Sequence, residues 1–206
     1  MTDLRVVLFG SAGRIGGGAL ARCLEHPRVR SVLAVDRLGC GAEHPKLREL
    51  VLLDFLDYSA CEDRLEGFDT CFYCIGTTSL GVPREEYRRI TCEFPAAAGS
   101  VLCRLNPGMA FVLLSSLGAD PEERSPLFWA RMKGRAEKTV QALPFRSVSI
   151  LRPGLVGPRP WVRLLPALVT TAEAVGLAMI HAAFSGSGIR ILGNSEINAL
   201  AERSCS

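Results

Sequence analysis

Short apolar runs alternate along the chain with longer segments whose apolar positions recur at helical spacing. The first run, at residues 4–9, carries a single charge, which is typical of a parallel strand buried on both faces. Further strands are predicted at 29–35, 50–53, 70–75, 110–114 and 147–151, and helices at 19–25, 85–105 and 127–143. Strands separated by helix-length segments predict βαβ units with right-handed crossovers. The predicted fold class is therefore α/β, with a doubly wound parallel sheet of the Rossmann type.

The pattern changes after the sixth predicted strand. Pro158 and Pro160 interrupt it, and a helix at 171–184, a short strand at 189–192 and a last helix from Ser195 follow. This tail is too short for an independent domain. We expect one domain over residues 1–206, in which 155–206 form a small C-terminal cap over the carboxyl edge of the sheet, where α/β folds bind their ligands.

Composition narrows the class of protein. The 206 residues are 48% hydrophobic and 22% charged, which fits one globular domain. The formal net charge is +3 and the arginines are scattered between acids, so no basic stripe marks a nucleic-acid binder. No apolar run reaches the ~18 residues of a membrane span, and the first strand begins too early to leave room for a leader peptide. We therefore expect a cytoplasmic protein with no membrane or nucleic-acid partner.

The eight cysteines raise the question of metal ligands and disulfides. Cys71 and Cys74 have C-x-x-C spacing but lie in a predicted strand, where residues three apart point to opposite faces. The three histidines are scattered, and no second C-x-x-C supports a zinc site. We expect no metal, and free buried thiols in a reducing cytosol.

A glycine-rich turn directly follows the first strand and precedes a helix. It has the pattern G-x-x-G-x-x-G and consists of Gly10, Ser11, Ala12, Gly13, Arg14, Ile15 and Gly16. In a dinucleotide-binding turn the glycines permit a tight turn, close approach of the pyrophosphate and close helix packing, while the helix N-terminus favours negative charge. Asp36 ends the second strand about 20 residues further on, where an acid binds the ribose. These features predict a nicotinamide dinucleotide site; a glycine-rich turn without a ligand is the alternative.

The residues around Asp36 bear on the choice of nicotinamide. Asp36 would accept a hydrogen bond from the 2′-hydroxyl of NAD and would repel a 2′-phosphate. Arg37 follows it and Arg14 lies inside the turn, and either guanidinium would bind that phosphate. Both arginines are also compatible with solvated surface positions. Because two cations face one acid, NADP(H) is the predicted cofactor and NAD(H) the alternative.

Two further segments complete the predicted cofactor site. Asp54 and Phe55 follow the third strand, where Asp54 would bond the adenine amino group or, alternatively, cap a helix. The second segment follows the fourth strand, at the edge where the strand order reverses. It consists of Cys74, Ile75, Gly76 and Thr77.

Several motifs in this order resemble the atypical short-chain dehydrogenase/reductases, in particular the NAD(P)-binding group that includes the Tat-interacting tumour-suppressor oxidoreductase and its bacterial relatives. The motifs are G-S-A-G-R-I-G (10–16), C-I-G-T-T (74–78), L-L-S-S-L-G-A-D (113–120), F-W-A-R-M-K-G (128–134) and L-R-P-G (151–154). The resemblance covers nearly the whole chain. It implies an NAD(P)-binding Rossmann protein whose cofactor site also includes Pro153, Gly154 and Leu155.

The resemblance implies catalytic positions as well. In this superfamily a serine after the fifth strand polarises the substrate carbonyl, and a Y-x-x-x-K motif gives a tyrosine acid/base and a lysine that binds the nicotinamide ribose. Ser115 or Ser116 matches the serine and Lys133 the lysine, but Trp129 stands at the tyrosine position. An indole N–H donates a hydrogen bond but does not titrate, so Trp129 cannot exchange the proton. Tyr87 is a candidate substitute, although a surface aromatic is the simpler interpretation.

Three functions remain open at this stage. The first is an NADP(H)-dependent oxidoreductase that acts on a small carbonyl or hydroxyl substrate with a non-standard proton donor. The second is a regulator that binds the nucleotide without turnover and acts through a protein partner, since members of the group are associated with such partners. The third is a non-redox isomerase or lyase on the same scaffold. The sequence is compatible with a monomer or a homodimer.

Overall fold

The chain folds into short parallel strands that alternate with helices. The computed structural model describes residues 3–203. The strands are β1 (Leu4–Phe9), β2 (Val29–Asp36), β3 (Leu47–Val51), β4 (Thr70–Tyr73), β5 (Ala110–Leu114), β6 (Ser147–Arg152), β7 (Leu155–Val156), β8 (Val169–Thr170) and β9 (Gly188–Gly193). The helices are α1 (Arg14–Glu25), α2 (Arg84–Arg88), α3 (Phe94–Leu105), α4 (Phe128–Gln141), α5 (Arg159–Leu164), α6 (Ala172–Phe184) and α7 (Asn194–Arg203). A π-helical turn, Arg89–Glu93, joins α2 to α3.

Seven of the strands form one parallel sheet in the order β3-β2-β1-β4-β5-β6-β9. The order reverses at β1, because the chain passes from β1 to β2 on one side and returns to β4 on the other. At such a reversal the connections leave the carboxyl ends of neighbouring strands in opposite directions and open a crevice. The predicted α/β fold with a doubly wound parallel sheet is confirmed.

Two apolar layers enclose the sheet, because successive residues of a strand point to opposite faces. On one face Val6 and Leu8 of β1 join a core formed with α1, α6 and α7. On the other face Val7 and Phe9 join a core formed with α3, α4 and the segment after β3. All four side chains are fully buried, so β1 is covered on both faces, as its continuous apolar run predicts.

Helices α1 and α6 approach each other at glycine positions. A Cβ on Gly18 would lie 2.6 Å from the Cβ of Ala172, and a Cβ on Gly176 would lie 2.7 Å from the Cα of Ala19. Neither position leaves room for a side chain, so the two helices pack at backbone distance. This contact fixes the N-terminal half of α1, which directly follows the glycine-rich turn.

The C-terminal part of the chain differs from the sequence prediction. Strand β9 pairs with β6 over the whole length of both strands, and α6 packs into the α1 layer. The tail therefore completes the sheet, and β7, α5 and β8 stand outside it. Within the segment 155–206 that the sequence assigned to a cap, β9 and α6 therefore belong to the main sheet and its helical layer. Pairing with β9 also covers the edge that β6 would otherwise expose.

Candidate functional site

Adjoining cavities line the carboxyl edge of the sheet beside the strand reversal. The first, called the cleft below, has a volume of about 500 Å³ and is bordered by Gly16, Thr77, Tyr87, Ser115, Ser116, Trp129 and Lys133, among others. The second, called the Asp36 cavity, has a volume of about 310 Å³ and is bordered by Gly10, Ala12, Asp36, Arg37 and Phe55. Both share Gly13, Cys74, Ile75 and Gly76, so they lie side by side.

The glycine-rich turn forms a cradle between the two cavities. Gly10 has a φ of +82°, and a Cβ there would lie 2.9 Å from the carbonyl carbon of Cys74. A Cβ on Gly16 would lie 1.9 Å from the carbonyl oxygen of Gly10, and one on Gly13 would lie 3.3 Å from the same oxygen. Only bare backbone fits here, and the first N–H groups of α1 have no intrahelical acceptor. The cradle therefore fits the pyrophosphate of a dinucleotide.

The carboxylate of Asp36 binds the glycine-rich turn itself. One oxygen accepts hydrogen bonds from the Ser11 backbone N–H at 3.1 Å and from the Ser11 hydroxyl at 2.5 Å. The other accepts from the Ala12 N–H at 3.3 Å. Asp36 is buried yet borders the Asp36 cavity, so it stabilises the turn at the place where the sequence predicts a ribose ligand.

The two arginines that the sequence assigns to a 2′-phosphate lie in different places. Arg37 is exposed and borders the Asp36 cavity, and across residues 3–203 no acidic side chain pairs with it. Arg14 begins α1 and borders the cleft and a further cavity beside Val156 and Thr171. Of the two arginines, Arg37 is therefore the one that borders the Asp36 cavity.

Asp54 and Phe55 border a third cavity that shares Arg37 and Ile75 with the Asp36 cavity. The Asp54 carboxylate accepts a hydrogen bond from the Leu56 N–H at 3.0 Å, which closes a turn and caps no helix. It also lies 3.7 Å from the Arg89 guanidinium. Phe55 is buried in the core, with its ring against Phe9.

The two serines after β5 have different surroundings. Ser115 is buried, and its hydroxyl donates to the Glu137 carboxylate at 2.5 Å. Glu137 is fully buried and is held in addition by two hydrogen bonds from the Arg152 guanidinium. The buried Ser116 hydroxyl has no partner among the described residues. Ser116 is therefore the serine whose proton is available to a ligand.

Lys133 extends from α4 across the cleft. Its Nζ lies 3.8 Å from the point that a Cβ on Gly76 would occupy. Glu137 lies one helical turn further along α4, but its carboxylate is taken by Ser115 and Arg152, and no carboxylate of residues 3–203 lies within ion-pair distance of Lys133. Burial, the largest influence, lowers the pKa of Lys133, and the charge of Glu137 offsets part of that effect.

Aromatic side chains close one side of the cleft. Trp129 is half-buried, and its ring lies 3.1 Å from the point that a Cβ on Gly118 would occupy. Tyr87, which the sequence suggested to be a surface aromatic, is buried instead and packs with Met132 beside Phe128 and Trp129. Cys92, in the π-helical turn after α2, belongs to the same apolar cluster as Tyr87 and Met132 of α4. Burial raises the pKa of Tyr87.

The two cysteines of the C-x-x-C sequence point to opposite faces of the sheet, as the strand geometry predicts. Cys71 belongs to the core on the α3 and α4 side, whereas Cys74 packs on the other side, with its Sγ 3.8 Å from the Met179 Sδ. Burial raises the pKa of both thiols. Within residues 3–203 no group of three or more His, Cys, Asp and Glu side chains is arranged to hold a metal ion.

Pro153, Gly154 and Leu155 are not among the residues that border the cleft and the Asp36 cavity, although the Pro153 carbonyl oxygen accepts a hydrogen bond from the N–H of Leu117, next to Ser116. The Gly154 N–H donates to the Asn194 side chain at 2.8 Å, and a Cβ on Gly154 would lie 2.2 Å from the Leu168 carbonyl oxygen. Leu155 is 73% exposed. The segment is therefore held against α7 and β8, and its part in a cofactor site stays a prediction.

Glu137, Arg152 and Tyr87 were not recognised as site residues from the sequence, or were given another role. Glu137 lies four residues after Lys133 and eight after Trp129, a spacing that places all three on one face of α4 and could have indicated it. Arg152 lies within the L-R-P-G motif. Nothing in the sequence around Tyr87 indicates its burial.

The sequence of the chain is similar to those of several known proteins. The chain is 26% identical over 158 residues to Protein HTATIP2 of Rattus norvegicus, a match that covers 76% of this chain and 64% of that protein. The chain thus spans less than two thirds of that relative's length. It is 28% identical over 208 residues to Protein fmp52 of Emericella nidulans, covering 94% of this chain and 86% of the relative. No protein-family model matches the chain.

Solved structures with low sequence identity share the fold. A short chain dehydrogenase family protein from Francisella tularensis superposes with a TM-score of 0.72 at 12% identity, covering 95% of this chain and 99% of that one. Bordetella bronchiseptica WbmH, solved in complex with NAD+, gives a TM-score of 0.68 at 16% identity, covering 99% and 83%. At such identities the likeness shows the fold alone.

The expected cytoplasmic location is wrong. Fungal relatives that are 28–31% identical to the chain are named as mitochondrial proteins. The expectation relied in part on free thiols, which persist in any reducing compartment and do not distinguish one from another. None of the helices within residues 3–203 combines the length and apolar character needed to cross a bilayer.

Proposed function

Because the chain belongs to the atypical short-chain dehydrogenase/reductases, we propose that it is an NADP(H)-dependent oxidoreductase acting on a small carbonyl or hydroxyl substrate. The observation that carries the proposal is the meeting of Gly16, Ser116 and Lys133 on one cleft. Ile15, Leu114 and Trp129 add apolar walls to it. A concave, partly apolar site with a few convergent polar groups is typical of small-molecule binding.

Under this proposal the residues of the cleft and of the Asp36 cavity have different tasks. Gly10, Gly13 and Gly16 would hold the pyrophosphate, and Lys133 the nicotinamide ribose. The reduced nicotinamide, when bound, supplies a hydride for the carbonyl carbon. Ser116 would donate a hydrogen bond to the carbonyl oxygen, since the proton of Ser115 is already committed to Glu137.

Arg37 supports NADP(H) over NAD(H). Both oxygens of Asp36 accept hydrogen bonds from the glycine-rich turn, whereas Arg37 borders the same cavity without an acidic partner among residues 3–203. A guanidinium binds phosphate through paired N–H donors. We expect Arg37→Gln to weaken NADPH binding by about tenfold or more, equivalent to about 1.4 kcal/mol. NADH binding should change little, and Arg30→Gln, at the opposite end of β2, serves as the control.

Fluorescence titration tests nucleotide binding directly. Trp129 borders the cleft and Trp161 lies on α5, so Trp161→Phe isolates the signal of Trp129. NADPH should quench Trp129 fluorescence. If neither NADPH nor NADH binds at millimolar concentration, the proposed function is wrong.

Oxidation of NADPH in the presence of a panel of aldehydes and ketones tests turnover. We expect Ser116→Ala to lower kcat by about 10²-fold, the scale of one lost donor to a developing oxyanion. Ser100→Ala, an exposed position on α3, is the matched control and should have no effect. Equal activity of both variants would contradict the role of Ser116.

Trp129 favours one further candidate function, a regulator that binds the nucleotide without turning it over. The indole stands where the family has its titrating tyrosine and has no proton to exchange. Tight NADPH binding without turnover over the whole panel, together with turnover gained by Trp129→Tyr, would support the regulator over the enzyme.

A further inference from the structure

The cleft has no tyrosine at the position where the family's proton donor stands, because Trp129 takes that place. Reduction of a carbonyl requires one proton on its oxygen, and Trp129 does not titrate. If the protein is the oxidoreductase proposed above, another group must supply that proton.

The titratable groups on the described lining of the cleft are Arg14, Cys74, Tyr87 and Lys133. Arginine does not release its proton in proteins. Burial raises the pKa of Cys74 and of Tyr87, so both hold their protons more tightly than in water. The Ser115 hydroxyl already donates its proton in a hydrogen bond to Glu137. Lys133 is the group on this lining whose proton is made easier to release.

We infer that Lys133 donates the proton to the substrate carbonyl oxygen directly, in place of the absent tyrosine. Its ammonium reaches across the cleft to within 3.8 Å of the Cβ position of Gly76 and makes no ion pair among the described residues. An ammonium carries three N–H donors, so it can bind a ribose hydroxyl and a carbonyl oxygen at the same time.

The pairing of Glu137 with Arg152 prevents Glu137 from forming an ion pair with Lys133. Glu137, on the same helix, would form an ion pair with Lys133 if its carboxylate were free, and the pKa of Lys133 would then rise. Instead Arg152 and Ser115 occupy the carboxylate. The other groups that act on Lys133 are Cys92 from the π-helical turn and Cys74 from the end of β4, both of them buried neutral thiols.

The step balances with water as the final source of the proton. One N–H bond of Lys133 breaks and an O–H bond forms on the carbonyl oxygen as its carbon accepts the hydride. Lys133 is left as a neutral amine and regains a proton from solvent through the open side of the cleft. In the reverse direction the neutral amine removes the proton of the substrate hydroxyl.

Lysine titration in the chain without nucleotide provides a test that is independent of activity. The sequence holds three lysines, Lys46, Lys133 and Lys138, so protein labelled with [¹³Cε]lysine gives three resonances, and Lys133→Arg assigns one of them. We expect the Lys133 resonance to titrate at lower pH than the other two. Glu137→Gln should move it lower still. Titration of Lys133 together with Lys46 and Lys138 would overturn the inference.

Lys133→Arg separates proton donation from binding, because arginine keeps the charge and the N–H donors but does not release a proton. We expect NADPH affinity within about threefold of wild type and carbonyl reduction slowed by about 10²-fold or more, the scale of general acid catalysis. Wild-type reduction should fall as pH rises through the pKa of Lys133, while alcohol oxidation rises.

The outcomes also separate this inference from the proposed function. An active Lys133→Arg variant with an unchanged pH profile would overturn the role of Lys133 and leave the oxidoreductase in place. Failure of wild-type protein to bind either nucleotide would overturn both.

Discussion

Gly16 has the least room of the three glycines in the turn, because its Cβ position lies 1.9 Å from the Gly10 carbonyl oxygen. We expect Gly16→Ala to push α1 away from the turn, to lower the free energy of unfolding by about 1–3 kcal/mol and to weaken NADPH binding. Gly17→Ala is the matched control: its Cβ position lies 3.4 Å from the Ser11 oxygen, and alanine stabilises a helix interior by about 0.5–1 kcal/mol. Urea denaturation and fluorescence titration measure both effects. Equal stability of the two variants would contradict the close packing.

Residue spacing predicts where Gly10, Gly16 and Asp36 lie, because a strand, a tight turn and a helix start have fixed geometry. It does not predict the partners that a side chain takes. Asp36 bonds back to the turn, a pairing that depends on the final approach of β2 to the turn. Arg14 lies inside the glycine-rich turn and Arg37 directly follows Asp36, yet the two arginines border different cavities. The direction of a long side chain depends on the element that carries it.

At the level of elements, Glu137 and Arg152 join α4 to β6 through a buried carboxylate. Removing one partner of such a pair leaves an uncompensated buried charge. We expect Arg152→Met to lower the free energy of unfolding by about 3–5 kcal/mol, and the double variant Glu137→Leu with Arg152→Met to recover most of that loss. Denaturant unfolding of the single and double variants measures the difference. A double variant no more stable than Arg152→Met would show that the charge pair is not the cause.

Element boundaries and roles were predictable to different degrees. The apolar run of β1 and the helical spacing of α4 mark these elements clearly. The start of β3 at Leu47 was missed, because Arg48 and Glu49 interrupt its apolar run and the prediction began at residue 50. The role of β9 depends on a contact with β6 that is distant in sequence. A short strand after a long helix is compatible with either a cap or a seventh strand, and the pairing of β9 with β6 distinguishes them.

For the whole molecule, the alternation of strands and helices was sufficient to predict a doubly wound parallel sheet, although not its seventh strand, β9, since right-handed crossovers leave few topologies. The site follows from the fold: the reversal at β1 brings the glycine-rich turn, the end of β5 and α4 to one edge. Cellular location was not predictable from these patterns, because the packing of a core does not depend on the compartment in which the protein resides.

A nucleotide that binds across the cleft and the Asp36 cavity should stabilise the whole molecule. Both cavities are formed by residues at the ends of β1, β2, β4 and β5 and on α4, so they exist only in the folded chain. At a concentration of 100 times Kd, binding adds about 2.7 kcal/mol to the free energy of unfolding. For a chain of 206 residues, this corresponds to a rise in Tm of about 5–11 °C. Thermal unfolding with increasing NADPH measures the shift. Arg37→Gln should reduce the shift with NADPH and preserve the one with NADH, because its guanidinium would contact only the 2′-phosphate. A shift that Arg37→Gln lowers equally for both nucleotides would place that residue in contact with their common part.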